Sequence, residues 1–275
     1  MYNLKFETFP SGTVRVNYYE YQISKESRPN RPEFAIEPFE GTRVRCVKSF
    51  RPDKERSSYA SMSRTRKMVY NYALSNDWDW FVTMTFSPKK VDRYNYVECS
   101  KKLKNFIDSA RRICPDMRYI FVPELHKDGA FHFHGLLSNC AALEFVFSGK
   151  VQNKRRVFNV PGFSYGFTTA TKVSDSKKSA NYLSKYITKD LCSVSPNKKR
   201  YWTSRNLELP EVTEVFVSFG SDTDEILDNI FDISSYYKRI RNPYNGGHSH
   251  FFEFPPGSGI VIEDFSPWIS FEIDM

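Results

Sequence analysis

The run PELHKDGAFHFHGLL, residues 123–137, constrains this chain more than any other segment. Two apolar stretches, 117–125 and 130–138, flank His126-Lys127-Asp128-Gly129. Asp-Gly supplies the turn and left-handed positions of a β-hairpin, so the two stretches read as paired antiparallel strands. Alternate side chains share a face of a strand, and His132 and His134 therefore leave on one side, where they can hold one metal ion. The turn decides what faces them. If Lys127, Asp128 and Gly129 form a type I turn closed by a left-handed glycine, Glu124 stands opposite His132 and three ligands converge. A strict two-residue turn would set Glu124 opposite Phe133, on the other face. His126 is the alternative third ligand. Two imidazoles and a carboxylate leave positions open for substrate oxygens, and Mg²⁺ or Mn²⁺ there would polarise a phosphoryl group. His248-Ser249-His250 repeats the spacing but follows Asn245-Gly246-Gly247, with no carboxylate evident on a paired strand, and is read as carrying no function.

The flanking sequence predicts an α+β domain. Residues 63–76 read as an amphipathic helix with basic residues outward, and WDWFVTMTF (78–86) as a buried strand on which Thr83 and Thr85 share a face with Phe81. Val97, Leu103, Phe106 and Ile107 form one helical stripe within 92–113, and Pro115 stops that helix. A strand ending at Val173 leads to an N-cap at Ser174-Asp175. The helix that follows runs to about Leu191, with Ala180, Leu183, Ile187 and Leu191 facing the core. This order predicts an antiparallel central sheet with helices packed on one face. Tyr182 and Tyr186 lie one turn apart on the last helix, each followed three residues later by a lysine, Lys185 and Lys189. Such a pair is ordinary packing in many helices. Beside a metal and an ammonium, however, a phenol whose usual pKa is near 10 becomes a nucleophile.

Charge narrows the partner. The chain carries +8, yet residues 202–275 hold four basic and thirteen acidic side chains, a net of −9, which leaves +17 on residues 1–201. A segment that basic attracts a polyanion, and 40% apolar with 16% aromatic residues excludes a disordered polyelectrolyte. Single-stranded nucleic acid could stack on aromatics such as Tyr94 and Tyr96. No GxxxxGK[ST] loop occurs, so no ATPase is expected. Five cysteines, odd in number and without a CxxC pair, fit a reducing compartment. With no apolar leader at the N-terminus and no stretch near the roughly 20 apolar residues of a membrane span, a cytoplasmic location is expected.

Three elements in order, the strand FVTMTF, the hairpin PELHKDGAFHFHGLL and the helix YLSKYITKD, resemble the motifs of the HUH endonuclease superfamily, the rolling-circle replication initiators of phages, plasmids and Rep-encoding viruses. The resemblance covers about residues 63–207. It implies an HUH palm similar to an RRM fold, flanked by a basic N-terminal extension (1–62) and an acidic C-terminal extension (208–275). It also implies a Mg²⁺ or Mn²⁺ ion on His132, His134 and Glu124, nucleophiles Tyr182 and Tyr186, and assisting lysines Lys185 and Lys189. The implied reaction nicks single-stranded DNA at an origin hairpin, leaving a 5′-phosphotyrosine and a free 3′-OH, and later rejoins strands. A host helicase and DNA polymerase are the implied partners. A relaxase or a tyrosine transposase would share the chemistry, although relaxases more often place the tyrosine before the histidines. A cupin-like oxygenase also uses H-x-H, but its carboxylate follows the histidines, and the basic segment would have no use there.

Overall fold

The computed structural model describes residues 1–23, 54–188, 190–191, 198–217, 234–241 and 246–261. Along the chain the elements are β1 (Tyr2–Thr8), β2 (Val14–Ile23), α1 (Lys54–Leu74), β3 (Trp80–Phe86), α2 (Tyr96–Ile113), β4 (Arg118–Leu125) and β5 (Phe131–Ser138). Then follow β6 (Val146–Gln152), β7 (Arg155–Asn159), β8 (Gly166–Lys172), α3 (Ser176–Lys185), β9 (Trp202–Thr203), β10 (Glu211–Val215), β11 (Tyr236–Arg241) and β12 (His248–Phe254). They fall into two compact units, one drawn from Met1–Arg51 and Pro210–Met275, the other from Pro52–Leu209.

In the first unit the two ends of the chain build one antiparallel sheet, β10-β1-β2-β12-β11. Leu4, Phe6, Val14, Val16, Phe252 and Phe254 close its core. The acidic C-terminal part thus supplies described strands to the same sheet as the N-terminus, with Leu4 paired to Val215 and Val14 to Phe254.

The second unit is an α+β domain on the antiparallel sheet β6-β7-β8-β3-β5-β4-β9. Its helices lie on both faces rather than on the single face expected. Tyr96 of α2 packs edge-on against Phe131, while Tyr182 of α3 packs against Phe81 on the opposite side. An apolar sheet with side chains buried on both faces accommodates this, since Phe133 and Leu136, which alternate along β5, are both inaccessible. α1 begins nine residues before the expected start, because the basic residues of its first turns carry no apolar period to betray them. Asn95 caps α2 by accepting from the amides of Val97 and Glu98, which puts Val97 in the exposed first turn; Tyr96 takes its place in the core. Tyr96 also donates to the carbonyl of Lys199, so of the two expected stacking residues only Tyr94 is exposed.

Asp175 caps α3 by accepting from the Lys178 amide. The regular helix stops at Lys185, short of Leu191, where the amides of Tyr186 and Ile187 bond three residues back to Leu183 and Ser184, each at 3.3 Å. Arg66 of α1 donates to the Ile187 carbonyl at 2.6 Å and satisfies the backbone beyond the break. Ile187 and Leu191 are still fully buried, so the apolar period continues through a segment that is no longer helical. Among the described residues no helix is long and apolar enough to cross a membrane.

Candidate active site

The β4–β5 hairpin is the floor of the site. Gly129 adopts φ +84°, its amide bonds to the His126 carbonyl at 2.8 Å, and the His126 amide bonds to Ala130 at 2.9 Å. This three-residue turn pairs Glu124 with His132 and Val122 with His134, so Glu124, His132 and His134 share one face. Glu124 Oε2 lies 2.7 Å from His134 Nε2. That hydrogen bond holds the Glu124 carboxyl below the usual range, against the opposing effect of burial, and keeps it ionised. Burial, followed by the nearby His126, lowers the pKa of His132, which favours the neutral imidazole that a metal binds. His126, the alternative third ligand, is exposed and stacks on His132 with ring centroids 5.1 Å apart.

The neighbouring strand supplies a layer that the motif pattern does not reveal. Thr83 and Thr85 of β3 pair with His134 and His132 and place their hydroxyls 3.0 and 3.2 Å from the Nδ1 atoms. A hydroxyl both donates and accepts, so it can hold either imidazole tautomer, including the one that frees Nε2. The available signal was the alternation of Thr83 and Thr85, two residues apart like the histidines; what was missing was knowledge that β3 is the strand beside β5.

α3 brings in the tyrosines. The Tyr186 ring lies flat on His134, with centroids 3.7 Å apart and planes 5° from parallel. Tyr182 meets Tyr186 edge-on at 5.2 Å and Phe81 at 5.3 Å, and is 52% exposed. Burial, a hydrogen bond with Tyr182 and the negative charge of Glu124 all push the Tyr186 phenol well above its ordinary value. A cation beside Glu124 would offset that charge. Lys185 is exposed on the far side of its turn, and among the described residues no contact joins it to the cluster. Lys189 lies outside the described residues.

The donor set suits a divalent ion: two imidazoles and an ionised carboxylate on one face, with their outer nitrogens held by hydroxyls. Among the described residues no three such side chains are already gathered at ligand geometry, and the hydrogen bond between Glu124 and His134 occupies that space. Beside Phe81 and Tyr182 a groove of about 620 Å³ opens, lined by Thr83, Thr169 and Thr171 with the cations Arg155, Lys172 and Lys178.

An antiparallel sheet that presents an H-x-H pair, a facing glutamate and two helix-borne tyrosines beside a cationic groove describes a domain for handling nucleic acid. Residues 79–191, from the edge of β3 through α3 to the buried Leu191, match a family model for replication-associated proteins of the ORF2 type. Over that span the chain is similar to replication-associated proteins, which ties the unit to DNA replication. No curated protein and no solved structure matches the chain.

Proposed function

We propose that the unit containing residues 79–191 is the nicking and joining domain of a rolling-circle replication initiator acting on single-stranded origin DNA. The observation that carries the reading is the Tyr186 ring stacked on His134 at 3.7 Å, which puts a phenol against an imidazole and carboxylate set. His132, His134 and Glu124 would hold Mg²⁺ or Mn²⁺, which when bound supplies Lewis-acid polarisation of the scissile phosphate.

The chain's own residues supply the rest. Arg155, Lys172 and Lys178 draw the phosphate backbone into the groove, and Tyr182 offers an exposed ring to a base. Tyr186 or Tyr182 forms a phosphorus–oxygen bond as the bond to the 3′ oxygen breaks. The phenol proton ends on that oxygen, directly or through water. One phosphodiester replaces another, so the step needs no nucleotide hydrolysis and agrees with a chain that has no phosphate-binding loop. The products are a 5′-phosphotyrosine and a 3′-OH for a host polymerase; the second tyrosine repeats the transfer and rejoins the strand, and a host helicase unwinds.

Incubation with Mn²⁺ and single-stranded oligonucleotides, followed by a denaturing gel, tests this. A covalent adduct is expected, absent from the Tyr182→Phe/Tyr186→Phe double variant and from His132→Ala. An adduct that survives these changes overturns the assignment.

A further inference from the structure

The sheet built from the two ends of the chain carries a second set with the same register. Ser249 of β12 pairs with Tyr19 of β2, so the next step of the ladder sets His248 opposite Glu20, with His250 two residues further along the same face. Glu124 bears the same relation to His132 and His134. The reading of His248-Ser249-His250 as lacking a carboxylate is therefore corrected: Glu20 Oε2 is 3.0 Å from His248 Nδ1, and Oε1 is 2.9 Å from His250 Nε2. The outer nitrogen of His250, Nδ1, lies 3.0 Å from the Tyr237 hydroxyl. His250 is buried, while the side chains of Glu20 and His248 keep 30% and 26% exposure, so the cluster opens to solvent on one side.

We propose that Glu20, His248 and His250 form a second metal site, for a divalent transition ion of the zinc class, that ties β12 to β2. Donor atoms about 3 Å apart match the edge of a coordination polyhedron with bonds of about 2.1 Å. Two imidazole nitrogens with one carboxylate favour Zn²⁺ over the hard Mg²⁺. Each neutral imidazole makes room for the ion by moving its proton to its other nitrogen. For His250 that nitrogen faces Tyr237, which would then accept the bond, as hydroxyl and carbonyl partners of bound imidazoles do. Arg239 opposes the ion: its Nη2 lies 3.1 Å from His248 Nδ1 and 3.7 Å from Glu20 Oε1. Its side chain is more than half exposed and can swing into water, and its charge gives the test a sign.

The full chain carrying His132→Ala and His134→Ala, which removes the first set, is loaded with Zn²⁺, dialysed and analysed for bound metal. About one equivalent is expected, together with a Zn²⁺-dependent rise in Tm. Both are lost when Glu20→Gln or His248→Ala is added; these side chains are partly exposed, and circular dichroism confirms that each variant folds. Arg239→Gln tightens Zn²⁺ binding about fivefold by removing a like charge, whereas it would only loosen a plain hydrogen-bond network. Failure to retain zinc, retention that ignores both Glu20→Gln and His248→Ala, or weaker binding in Arg239→Gln overturns the proposal.

Discussion

Replacing Thr83 and Thr85 together by valine changes two hydroxyls for two methyls on β3 and leaves Glu124, His132, His134, Tyr182 and Tyr186 untouched. Valine keeps the β-branched shape, so the strand and its pairing with β5 persist. What is lost is one hydrogen bond to each imidazole, now 3.0 and 3.2 Å long. Two bonds of ~0.5–1.5 kcal/mol each amount to ~1–3 kcal/mol of orientation, in line with the 10–100-fold cost typical when such outer partners of metal-bound histidines are removed. The apparent Mn²⁺ midpoint for adduct formation should rise by that factor, while the rate at saturating Mn²⁺ recovers most of its original value, because no reacting group has gone. Thr83→Ser/Thr85→Ser, which keeps both hydroxyls, should stay near the parent midpoint. A valine variant within twofold of the parent, or a serine variant as impaired as valine, would refute the claim that these threonines orient the histidines.

Three further outcomes are expected. Gly135→Ala places a methyl into the Phe121 ring and 2.9 Å from the Ile120 carbonyl, and should lower stability by about 1–3 kcal/mol, read as a drop in Tm that a Phe121→Leu background reduces. Burial pushes the Cys99 and Cys140 thiols up to about 12, so at pH 8 the thiolate fraction is about 10⁻⁴ against roughly a quarter for an ordinary thiol; mass spectrometry should find neither alkylated by iodoacetamide until urea unfolds the protein. Arg155→Gln with Lys178→Gln should weaken binding of all single-stranded oligonucleotides alike and make the log–log salt slope shallower by about 0.7 per charge removed, measured by fluorescence anisotropy at several salt concentrations.

What the sequence made legible was local. Asp128-Gly129 specified the turn, the turn specified the register, and the register set Glu124 against His132 within a dozen residues of chain. The α2 stripe was legible for the same reason, since a helix face is a pattern of near neighbours; only its first turn misled, where Asn95 capped the helix and left Val97 outside. The end of α3 was hidden because burial of Ile187 and Leu191 preserves an apolar period after the hydrogen bonding has changed. Pairings across the length of the chain leave no periodic trace. Nothing near Glu20 announces His248, 228 residues away, and nothing in β1 announces β10. The orienting role of Thr83 and Thr85 was invisible for a related reason: it belongs to strand order, which alternation alone does not encode.

Exposed hairpin loops are ordinarily where proteins accept insertions and deletions most freely. The loop of residues 126–130 is exposed at Lys127 and Asp128, yet its length is the one property it cannot vary. Removing or adding a single residue there would turn Glu124 to the far side of the sheet, where Phe133 packs among aromatic rings, and would separate it from both histidines at once. Drift in this lineage should therefore appear in the loop as changes of letter and never as changes of count, the reverse of what surface position alone would suggest.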